Sequence, residues 1–238
     1  YPLDFIQDNI TIQDNIFRSS YNIGVKKLIF LGSSCIYPKN CEQPIKEKYF
    51  MKGDLEKTNE YYALAKIIGI KTCEAYKKQF NCNYLSIMPT NLYGPNDNFN
   101  INTSHVPAAL IDRFHRAKLS GKKEVVIWGD GRSYREFMHV DDFADACVFI
   151  LKNYTEDEMI NIGTGIDISI KEFAYLIKEV TEFNGKVLFD TSKPKGTKRK
   201  LLDISKLKKL GWRPSFDLKT GIKEYYKWYL DNFNKLRK

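Results

Sequence analysis

KKLIFLGSS, residues 26 to 34, is the stretch of sequence that decides the fold. Leu28 to Leu31 form an unbroken apolar run, and a strand that is apolar on both faces is typical of a buried parallel sheet. A helix is predicted over residues 8–22, because Ile12 and Ile16 have helical spacing and Gly24 is a stop signal. The strand therefore follows a helix and ends at Gly-Ser-Ser.

The same order of elements repeats further along the chain. A helical pattern over residues 60–80 is followed by NYLSIMPTNLYGP, residues 83–95, which is interpreted as a second buried strand broken at Pro89. Alternation of helix and strand predicts an α/β protein with a Rossmann-like, doubly wound parallel sheet. Ligands of such sheets bind beyond the carboxyl ends of the strands, which is where Gly-Ser-Ser and Pro-Thr-Asn lie.

After Pro95 the alternation becomes less regular, and a smaller α+β lobe is expected. Strands are predicted over 124–128, 159–163 and 186–190. Helices are predicted over 104–119 with Ser104 as N-cap, from near Asp141 to 154, over 169–183 behind the capping box Ser-Ile-Lys-Glu, over 203–212 and over 217–233.

The charge balance favours an anionic partner. The chain of 238 residues carries 38 Lys and Arg against 29 Asp and Glu, a formal net charge of +9. The densest basic cluster is KPKGTKRK, residues 193–200, which is interpreted either as a solvated loop or as a phosphate site. Nucleic acid is disfavoured as a partner, because the sequence has neither an RNP motif nor zinc-finger spacing.

Location and metal binding are constrained by what the sequence lacks. It contains neither an apolar run long enough for a membrane span nor a signal-peptide pattern, so a soluble cytoplasmic protein without a membrane segment is expected. Its five cysteines never form a CxxC pair, which argues against a disulfide framework and against a zinc site. No metal is therefore expected, and the cysteines are interpreted as free thiols.

A glycine-rich phosphate loop is also missing from the sequence. A dinucleotide-binding fold is expected to carry GxGxxG after its first strand, and no such motif is present. Two GxG stretches, 129–131 and 163–165, lack the third glycine and are interpreted as a turn and a strand exit. If the fold is of the Rossmann type, its glycine-rich first unit is expected to lie before Tyr1.

NEYYALAK, residues 59–66, places a tyrosine and a lysine on one helical face. Tyr62 and Lys66 are four residues apart, a spacing that aligns side chains, whereas Tyr61 points elsewhere. A nearby ammonium favours the phenolate, so we expect the pKa of Tyr62 to be lowered and its phenol to transfer protons. Ser33, at the end of the first strand, is expected to hydrogen-bond a substrate oxygen that Tyr62 protonates.

Seven segments carry a family resemblance: LGSSCIYPK, NEYYALAKIIGIK, MPTNLYGPNDNFN, SHVPAALIDRFH, WGDGRSYREFMHVDD, NIGTG and KPKGTKRKLLD. Through them the chain resembles the extended short-chain dehydrogenase/reductase superfamily and, within it, the GDP-L-fucose synthase family. The resemblance runs over essentially the whole chain. Two positions depart from the family pattern, which usually has proline where Tyr61 stands and an acidic residue where Lys195 stands.

The resemblance implies an NADPH-dependent enzyme that converts GDP-4-keto-6-deoxy-D-mannose to GDP-L-fucose by 3,5-epimerisation and 4-reduction. It implies that Tyr62 is the general acid of the reduction, that Lys66 is its partner, and that Ser33 orients the carbonyl. Cys35 and His105 would be the base and the acid of the two epimerisations.

The resemblance also implies the binding residues, the domains and a homodimer that packs through the helix containing Tyr62. NADP(H) would be held by Leu31, Gly32, Ser33, Ser34, Lys66, Pro89, Thr90, Asn91, Leu92 and His105. The GDP-sugar would be held by Arg113, Trp128, Arg135 and Lys195. Residues 1–95 and 137–165 would form the C-terminal part of an NADP-binding Rossmann domain, and residues 96–136 and 166–238 would form the substrate domain.

Plainer interpretations remain open for several of these residues. Cys35 is otherwise an inert buried thiol, and His105 is otherwise a surface residue at a helix terminus. Trp128 is otherwise part of the core, and Arg135 an ion-pair partner of Glu136. For the whole chain, the alternatives are another nucleotide-sugar epimerase or dehydratase, and a non-catalytic module that binds a nucleotide sugar or a partner protein.

Overall fold

The computed structural model describes residues 1–156, 158–192 and 197–236. Its helices are α1 (Pro2–Asn22), α2 (Glu60–Phe80), α3 (Val106–Leu119), α4 (Val140–Asn153), α5 (Ile170–Val180), α6 (Ser205–Lys209) and α7 (Leu218–Asn232). Its strands are β1 (Lys27–Leu31), β2 (Asn83–Pro89), β3 (Asn91–Tyr93), β4 (Glu124–Trp128), β5 (Tyr134–His139), β6 (Ile160–Ile162), β7 (Asp167–Ser169), β8 (Lys186–Asp190) and β9 (Arg199–Lys200). Within these ranges no helix is both long and apolar enough to cross a membrane.

The chain folds into two compact units. The first unit comprises 1–90, 143–165 and 202–213, and the second comprises 91–142, 166–201 and 214–238. Compared with the domains expected from the sequence, the largest difference is that 202–213 pack with the first unit, where Leu202 forms a β-bridge with Ile45. The assignment of the cofactor to one domain and of the substrate to the other stays a prediction.

A three-stranded parallel sheet forms the centre of the first unit. Strand β2 lies in the middle, with β1 on one side and β6 on the other. Phe17 of α1 is fully buried and stacks on Tyr76 of α2 and Tyr84 of β2, at ring-centroid distances of 5.9 and 6.1 Å. Helices packed on a parallel sheet in this way confirm the α/β, Rossmann-like fold expected from the order of elements.

Helix α1 is longer than the sequence pattern predicts. It begins at Pro2 rather than near residue 8, and the amide of Phe5 already donates to the carbonyl of Tyr1. Proline in the first turn has no amide to leave unpaired, and Asp4 complements the positive end of the helix. Pro2 and Asp4 precede the apolar residues Ile12 and Ile16, and the predicted start of the helix was based on the spacing of those two residues.

The second unit contains two small sheets around an apolar core. Strands β3 and β9 pair with β5 in parallel, β7 pairs with it antiparallel, and β4 and β8 form a separate parallel pair. Helices α3, α5 and α7 contribute the fully buried rings of Phe114, Phe173 and Tyr225. Strands β7 and β9 were not predicted, because two or three residues carry no periodic signal.

Helix α3 starts one residue later than predicted. Its N-cap is His105 rather than Ser104, because the carbonyl of His105 accepts the first helical hydrogen bond, from the amide of Ala109 at 2.9 Å. Pro107 lies in the first turn, where a missing amide leaves no bond unmade. The side chain of His105 is exposed at this helix terminus.

Asn161 of β6 is the polar centre of the first unit. Its side chain is fully buried and accepts a hydrogen bond from the hydroxyl of Tyr37 at 2.6 Å. Its amide donates to the carbonyls of Ile45 at 2.9 Å and Asp203 at 3.2 Å. One side chain therefore connects the sheet to the two loops that contain Ile45 and Asp203. It supplies the hydrogen-bond donor for a carbonyl in each loop.

Asn161→Leu is expected to lower the free energy of unfolding by about 3 kcal/mol or more, because three buried polar groups lose their partner and the larger leucine must fit a fully buried site. Urea denaturation measures the effect. Asn153→Leu is the matched control, because that exposed side chain donates to the carbonyl of Phe149 in its own helix and to no other described residue. Equal losses of stability in the two variants would contradict the role given to Asn161.

Candidate functional site

The carboxyl end of β1 is held close to β2. The amide of Gly32 donates to the carbonyl of Ile87 at 2.9 Å, and a Cβ atom on Gly32 would lie 2.5 Å from the sulfur of Met88. A glycine is required for so close an approach of the backbone. Leu31 to Ser34 therefore leave the sheet at a tightly constrained edge.

Ser33 and Cys35 are oriented by a short 3-10 turn over Ser34–Ile36. The hydroxyl of Ser33 accepts a hydrogen bond from the amide of Cys35 at 3.2 Å. The same side chain hydrogen-bonds Tyr62. Ser33 thus connects the end of β1 to helix α2.

One face of helix α2 carries the predicted proton donor. Tyr62 is half-buried, whereas the ring of Tyr61 is 48% exposed. The ammonium of Lys66 donates to the carbonyl of Leu31 at 2.9 Å and lies 5.6 Å from the centre of the Tyr62 ring. The structure therefore brings Ser33, Tyr62 and Lys66 together at the end of β1.

The protonation of Tyr62 differs from the expectation based on spacing. Burial raises the pKa of its phenol and the neighbouring Cys35 raises it further, while the hydrogen bond with Ser33 lowers it. Burial also lowers the pKa of Lys66. The expected lowering of the Tyr62 pKa is therefore wrong, because burial and the neighbouring Cys35 raise it more than the hydrogen bond with Ser33 lowers it. The phenol remains protonated at neutral pH, which is the state that a general acid requires.

Asn59 belongs to this site and was missed by sequence reasoning. Its side-chain amide donates to the sulfur of Cys35 at 3.0 Å, across 24 positions of sequence. The available signal was its spacing on the helix, because Asn59 precedes Tyr62 by one turn and shares its face. Cys35 is half-buried, and this contact gives its sulfur a polar neighbour.

The other predicted cofactor residues lie at the end of β2 and in β3. Thr90 is buried, and its amide donates to the carbonyl of Ile162 at 3.0 Å. The side-chain amide of Asn91 donates to the carbonyl of Glu136 at 2.8 Å. Pro89 and Leu92 are half-buried.

A cavity of about 690 Å³ in the second unit contains three of the predicted substrate residues. Arg113 of α3, Trp128 of β4 and Arg135 of β5 all line it. Its polar lining also includes four residues that were not predicted: Asn102, Ser104, Asp130 and Ser133. Lys195, the fourth predicted substrate residue, lies outside the described residues.

Arg113 and Arg135 are partly buried and hydrogen-bond backbone carbonyl groups. Arg113 donates to the carbonyl of Val126 at 2.8 Å, and Arg135 donates to the carbonyls of Tyr134 and Thr197, both at 2.7 Å. Burial lowers the pKa of both guanidinium groups. Neither forms an ion pair with any part of the chain that the structure describes, so an anion in this cavity would meet two guanidinium groups, although the carboxylate of Asp130 also lines the cavity.

Trp128 and His105 both present exposed side chains. The indole of Trp128 is 65% exposed on β4, so it is not part of the core. A ring with this exposure offers a flat apolar face to a ligand. His105 lies at the N-terminus of α3, and its imidazole does not cap that helix.

The chain matches a known protein family over more than half of its length. Residues 1–163 match the NAD dependent epimerase/dehydratase family. A protein of Arabidopsis thaliana named putative GDP-L-fucose synthase 2 is 56% identical over 232 residues, covering 98% of this chain and 71% of that protein. The GDP-L-fucose synthase of Escherichia coli is 47% identical over 246 residues, covering 100% of this chain and 77% of that protein.

The structure is similar to that of a GDP-L-fucose synthetase from Naegleria fowleri bound to NADP. The TM-score is 0.95 at 32% sequence identity, covering 100% of this chain and 76% of that chain. A family match over more than half of the chain, together with relatives of this identity and coverage, identifies the family. The chain belongs to the NAD dependent epimerase/dehydratase family and, within it, to the GDP-L-fucose synthases.

Proposed function

We propose that the protein converts GDP-4-keto-6-deoxy-D-mannose to GDP-L-fucose, by epimerisation at C3 and C5 followed by NADPH-dependent reduction at C4. Relatives named GDP-L-fucose synthase, 56% and 47% identical to this chain, support the proposal. The observation that carries it is the cluster at the end of β1, where Ser33 hydrogen-bonds Tyr62 and the backbone of Cys35. One hydroxyl thus contacts the phenol suited to reduction and the backbone of the residue whose thiol is suited to epimerisation.

The residues at the end of β1 fit NADPH. The ammonium of Lys66 has three N–H donors, and the carbonyl of Leu31 takes one of them. It is desolvated and has no carboxylate partner in the described ranges, so ribose hydroxyls are suitable acceptors for the other two donors. A solved relative is bound to NADP. With Lys66, we assign Leu31 to Ser34, Pro89 to Leu92 and His105 to this cofactor, which supplies the hydride when bound.

The epimerisations use the acidity of carbon atoms next to a ketone. The thiolate of Cys35 takes a proton from C3 or C5: the C–H bond breaks, an S–H bond forms, and the electron pair moves to the C4 oxygen as an enolate. The hydroxyl of Ser33 donates to that oxygen and stabilises its charge. His105 then protonates the opposite face of the carbon, which inverts its configuration.

The reduction delivers a hydride and a proton to the same carbonyl. The C4 oxygen becomes an alkoxide, and the phenol of Tyr62 donates its proton to it. The raised pKa of Tyr62 suits this role, because the phenol is protonated when the substrate arrives. The ammonium of Lys66, 5.6 Å from the ring centre, favours the phenolate that remains.

Arg113 and Arg135 are assigned to the diphosphate of the GDP-sugar. A guanidinium can bond two phosphate oxygens at once, and neither arginine has a carboxylate partner within the described ranges. Arg135→Met, which keeps an apolar stem of similar length, is expected to weaken GDP binding by about 10–100-fold. This range corresponds to the loss of about 1.5–3 kcal/mol for hydrogen bonds to a charged group.

Isothermal titration calorimetry with GDP and the full-length protein measures this effect. Arg116→Met is the matched control, because Arg116 follows one turn after Arg113 on α3 but pairs at the surface with Asp112 at 2.7 Å. The control should bind GDP within about twofold of the wild type, as expected for a surface ion pair. Wild-type GDP affinity in Arg135→Met would rule out the diphosphate contact.

A homodimer through helix α2 is the proposed assembly. Leu64 and Ile68 lie one turn apart on the same helical face and are 37% and 41% exposed. Ile70 is buried and Ile67 half-buried, so these two serve the core of the first unit instead. Exposed aliphatic side chains in helical register can pack against the same face of a second copy about a two-fold axis.

Leu64→Glu is expected to convert the dimer to a monomer, because each interface would bury two carboxylates against apolar surface. Size-exclusion chromatography with light scattering measures the mass. Lys122→Glu is the control, because Lys122 is exposed in a loop of the second unit. A Leu64→Glu protein that keeps the dimer mass would exclude this face as the interface.

Product identification tests the proposed function itself. The full-length protein, incubated with GDP-4-keto-6-deoxy-D-mannose and NADPH, is expected to release GDP-L-fucose, identified by proton NMR. A 4-reduced sugar with unchanged configuration at C3 and C5 would refute the two epimerisations. The cytoplasmic location expected from the sequence stays a prediction.

A further inference from the structure

Asn59 occupies the N-cap position of helix α2 but does not cap the helix. Asparagine is among the most favourable N-cap residues, because its side-chain oxygen accepts a hydrogen bond from an amide of the first turn. Here that bond is absent, so the helix start lacks this stabilisation. Another interaction therefore determines where this side chain lies.

The side chain of Asn59 is directed at Cys35. Its Nδ2 donates to the Sγ of Cys35 at 3.0 Å. Its Oδ1 is buried and has no hydrogen-bond partner among the described residues. The contact with sulfur is therefore the one hydrogen bond of this side chain within the part of the chain that the structure describes.

Asn59 also shares a helical face with the residues of the reduction. Tyr62 and Lys66 follow it one and two turns later on the same side of α2. Tyr62 is close enough to Cys35 for the thiolate to raise its pKa, and the ammonium of Lys66 lies against the Tyr62 ring. Asn59, at the start of α2, thus contacts the thiol of Cys35, and the first turn of the same helix carries the phenol of Tyr62.

We propose that Asn59 is a positioning residue for the epimerisation, which fixes the sulfur of Cys35 and stabilises its thiolate by donating a hydrogen bond to it. The proposal rests on the function proposed above. The thiolate is the form that takes a proton from carbon, and a donor bonded to sulfur stabilises S⁻ more than S–H. When the proton has moved from carbon to sulfur, this hydrogen bond weakens and the electron pair of the broken C–H bond resides on the enolate.

Asn59→Ser and Asn59→Asp separate this role from a role in starting the helix. Serine and aspartate are N-cap residues about as favourable as asparagine, so α2 can begin at the same place in both variants. Serine is too short to reach the sulfur, and aspartate places a negative charge where the donor was. If Asn59 only starts the helix, both variants behave like the wild type.

The first measurement is the rate at which iodoacetamide alkylates Cys35, followed by peptide mass spectrometry. At neutral pH this rate is expected to fall about tenfold in Asn59→Ser and further in Asn59→Asp, because the thiolate loses one hydrogen bond. Cys82 is the internal control, because this half-buried free thiol follows the far end of α2, roughly 30 Å away along the helix. Unchanged Cys35 rates in both variants would overturn the proposal.

The second measurement is the rate at which solvent deuterium enters the substrate sugar. Entry of solvent deuterium at C3 and C5 is expected to fall about 10–100-fold in Asn59→Ser. Oxidation of GDP-L-fucose by NADP⁺, which removes no proton from C3 or C5, should fall by no more than about threefold. Equal losses in both reactions would assign Asn59 a general structural role and overturn the proposal. If the wild type introduces no deuterium, the proposed function fails, and the alkylation rates still decide whether Asn59 controls Cys35.

Discussion

Tyr62→Phe is expected to lower the rate of 4-reduction by about 10²–10⁴-fold, the usual contribution of a general acid. Phenylalanine keeps the ring beside the ammonium of Lys66 and removes only the hydroxyl that supplies the proton. The alkoxide that forms at C4 would then depend on water for its proton. The measurement is the loss of NADPH absorbance in the presence of GDP-4-keto-6-deoxy-D-mannose and the full-length protein.

Tyr61→Phe is the matched control for this variant. Tyr61 is the adjacent residue, but its ring is 48% exposed and points away from the face that carries Tyr62 and Lys66. Its removal should change the reduction rate by no more than about twofold, as is usual for an exposed side chain. Deuterium entry at C3 and C5 should persist in Tyr62→Phe. Reduction at the wild-type rate in Tyr62→Phe would exclude Tyr62 as the acid.

Cys35→Ser is expected to lower deuterium entry at C3 and C5 by about 10²–10⁴-fold, the range for loss of a general base. Serine has nearly the same shape and can still accept the hydrogen bond from Asn59, which reaches sulfur at 3.0 Å in the wild type. A hydroxyl, however, provides almost no anion at neutral pH, whereas a thiol does. Mass spectrometry and NMR of the sugar recovered from D₂O measure the exchange.

Cys82→Ser controls for the general effect of removing a thiol, because Cys82 is half-buried and lies beyond the far end of α2. Its exchange rate should match that of the wild type. In Cys35→Ser, oxidation of GDP-L-fucose by NADP⁺ should continue, because that step uses Tyr62 and Lys66. Full exchange in Cys35→Ser would mean that another group removes the carbon-bound protons.

The face of α2 that carries Tyr62 and Lys66 could be predicted from the sequence, because the helical period alone determines which side chains share a face. Tyr62 and Lys66 fall on one side and Tyr61 on another, whatever surrounds the helix. The capping box is equally local: the hydroxyl of Ser169 accepts from the amide of Glu172 at 3.1 Å, as the sequence pattern predicts. These two features depend only on neighbours in the chain, although the predicted starts of α1 and α3 were not exact.

Burial and long-range contacts could not be predicted in this way. The direction of the Tyr62 pKa shift depends on which groups cover the phenol, and spacing identifies Lys66 while giving no measure of burial. The bond between Asn59 and Cys35 joins residues 24 positions apart through the turn that follows β1. No periodic pattern in the sequence connects them.

In the second unit, too, contacts between residues far apart in the sequence could not be predicted. Arg113 and Arg135 were assigned to the substrate through the family resemblance, but they belong to α3 and β5, and the fold is needed to show that they line one cavity. Their lack of carboxylate partners, within the described ranges, is also a property of packing. Asp130 and Ser133 line the same cavity from a loop, where spacing carries no signal.

The central claim is that one site performs two inversions and one reduction, and the position of deuterium in the product tests it most directly. The full-length protein is given GDP-4-keto-6-deoxy-D-mannose and NADPH in D₂O, and the product is analysed by NMR. The expected result is GDP-L-fucose with deuterium at C3 and C5 and protium at C4, because the base and acid exchange with solvent and the hydride comes from NADPH. A reduced product with protium at both C3 and C5 would contradict the claim.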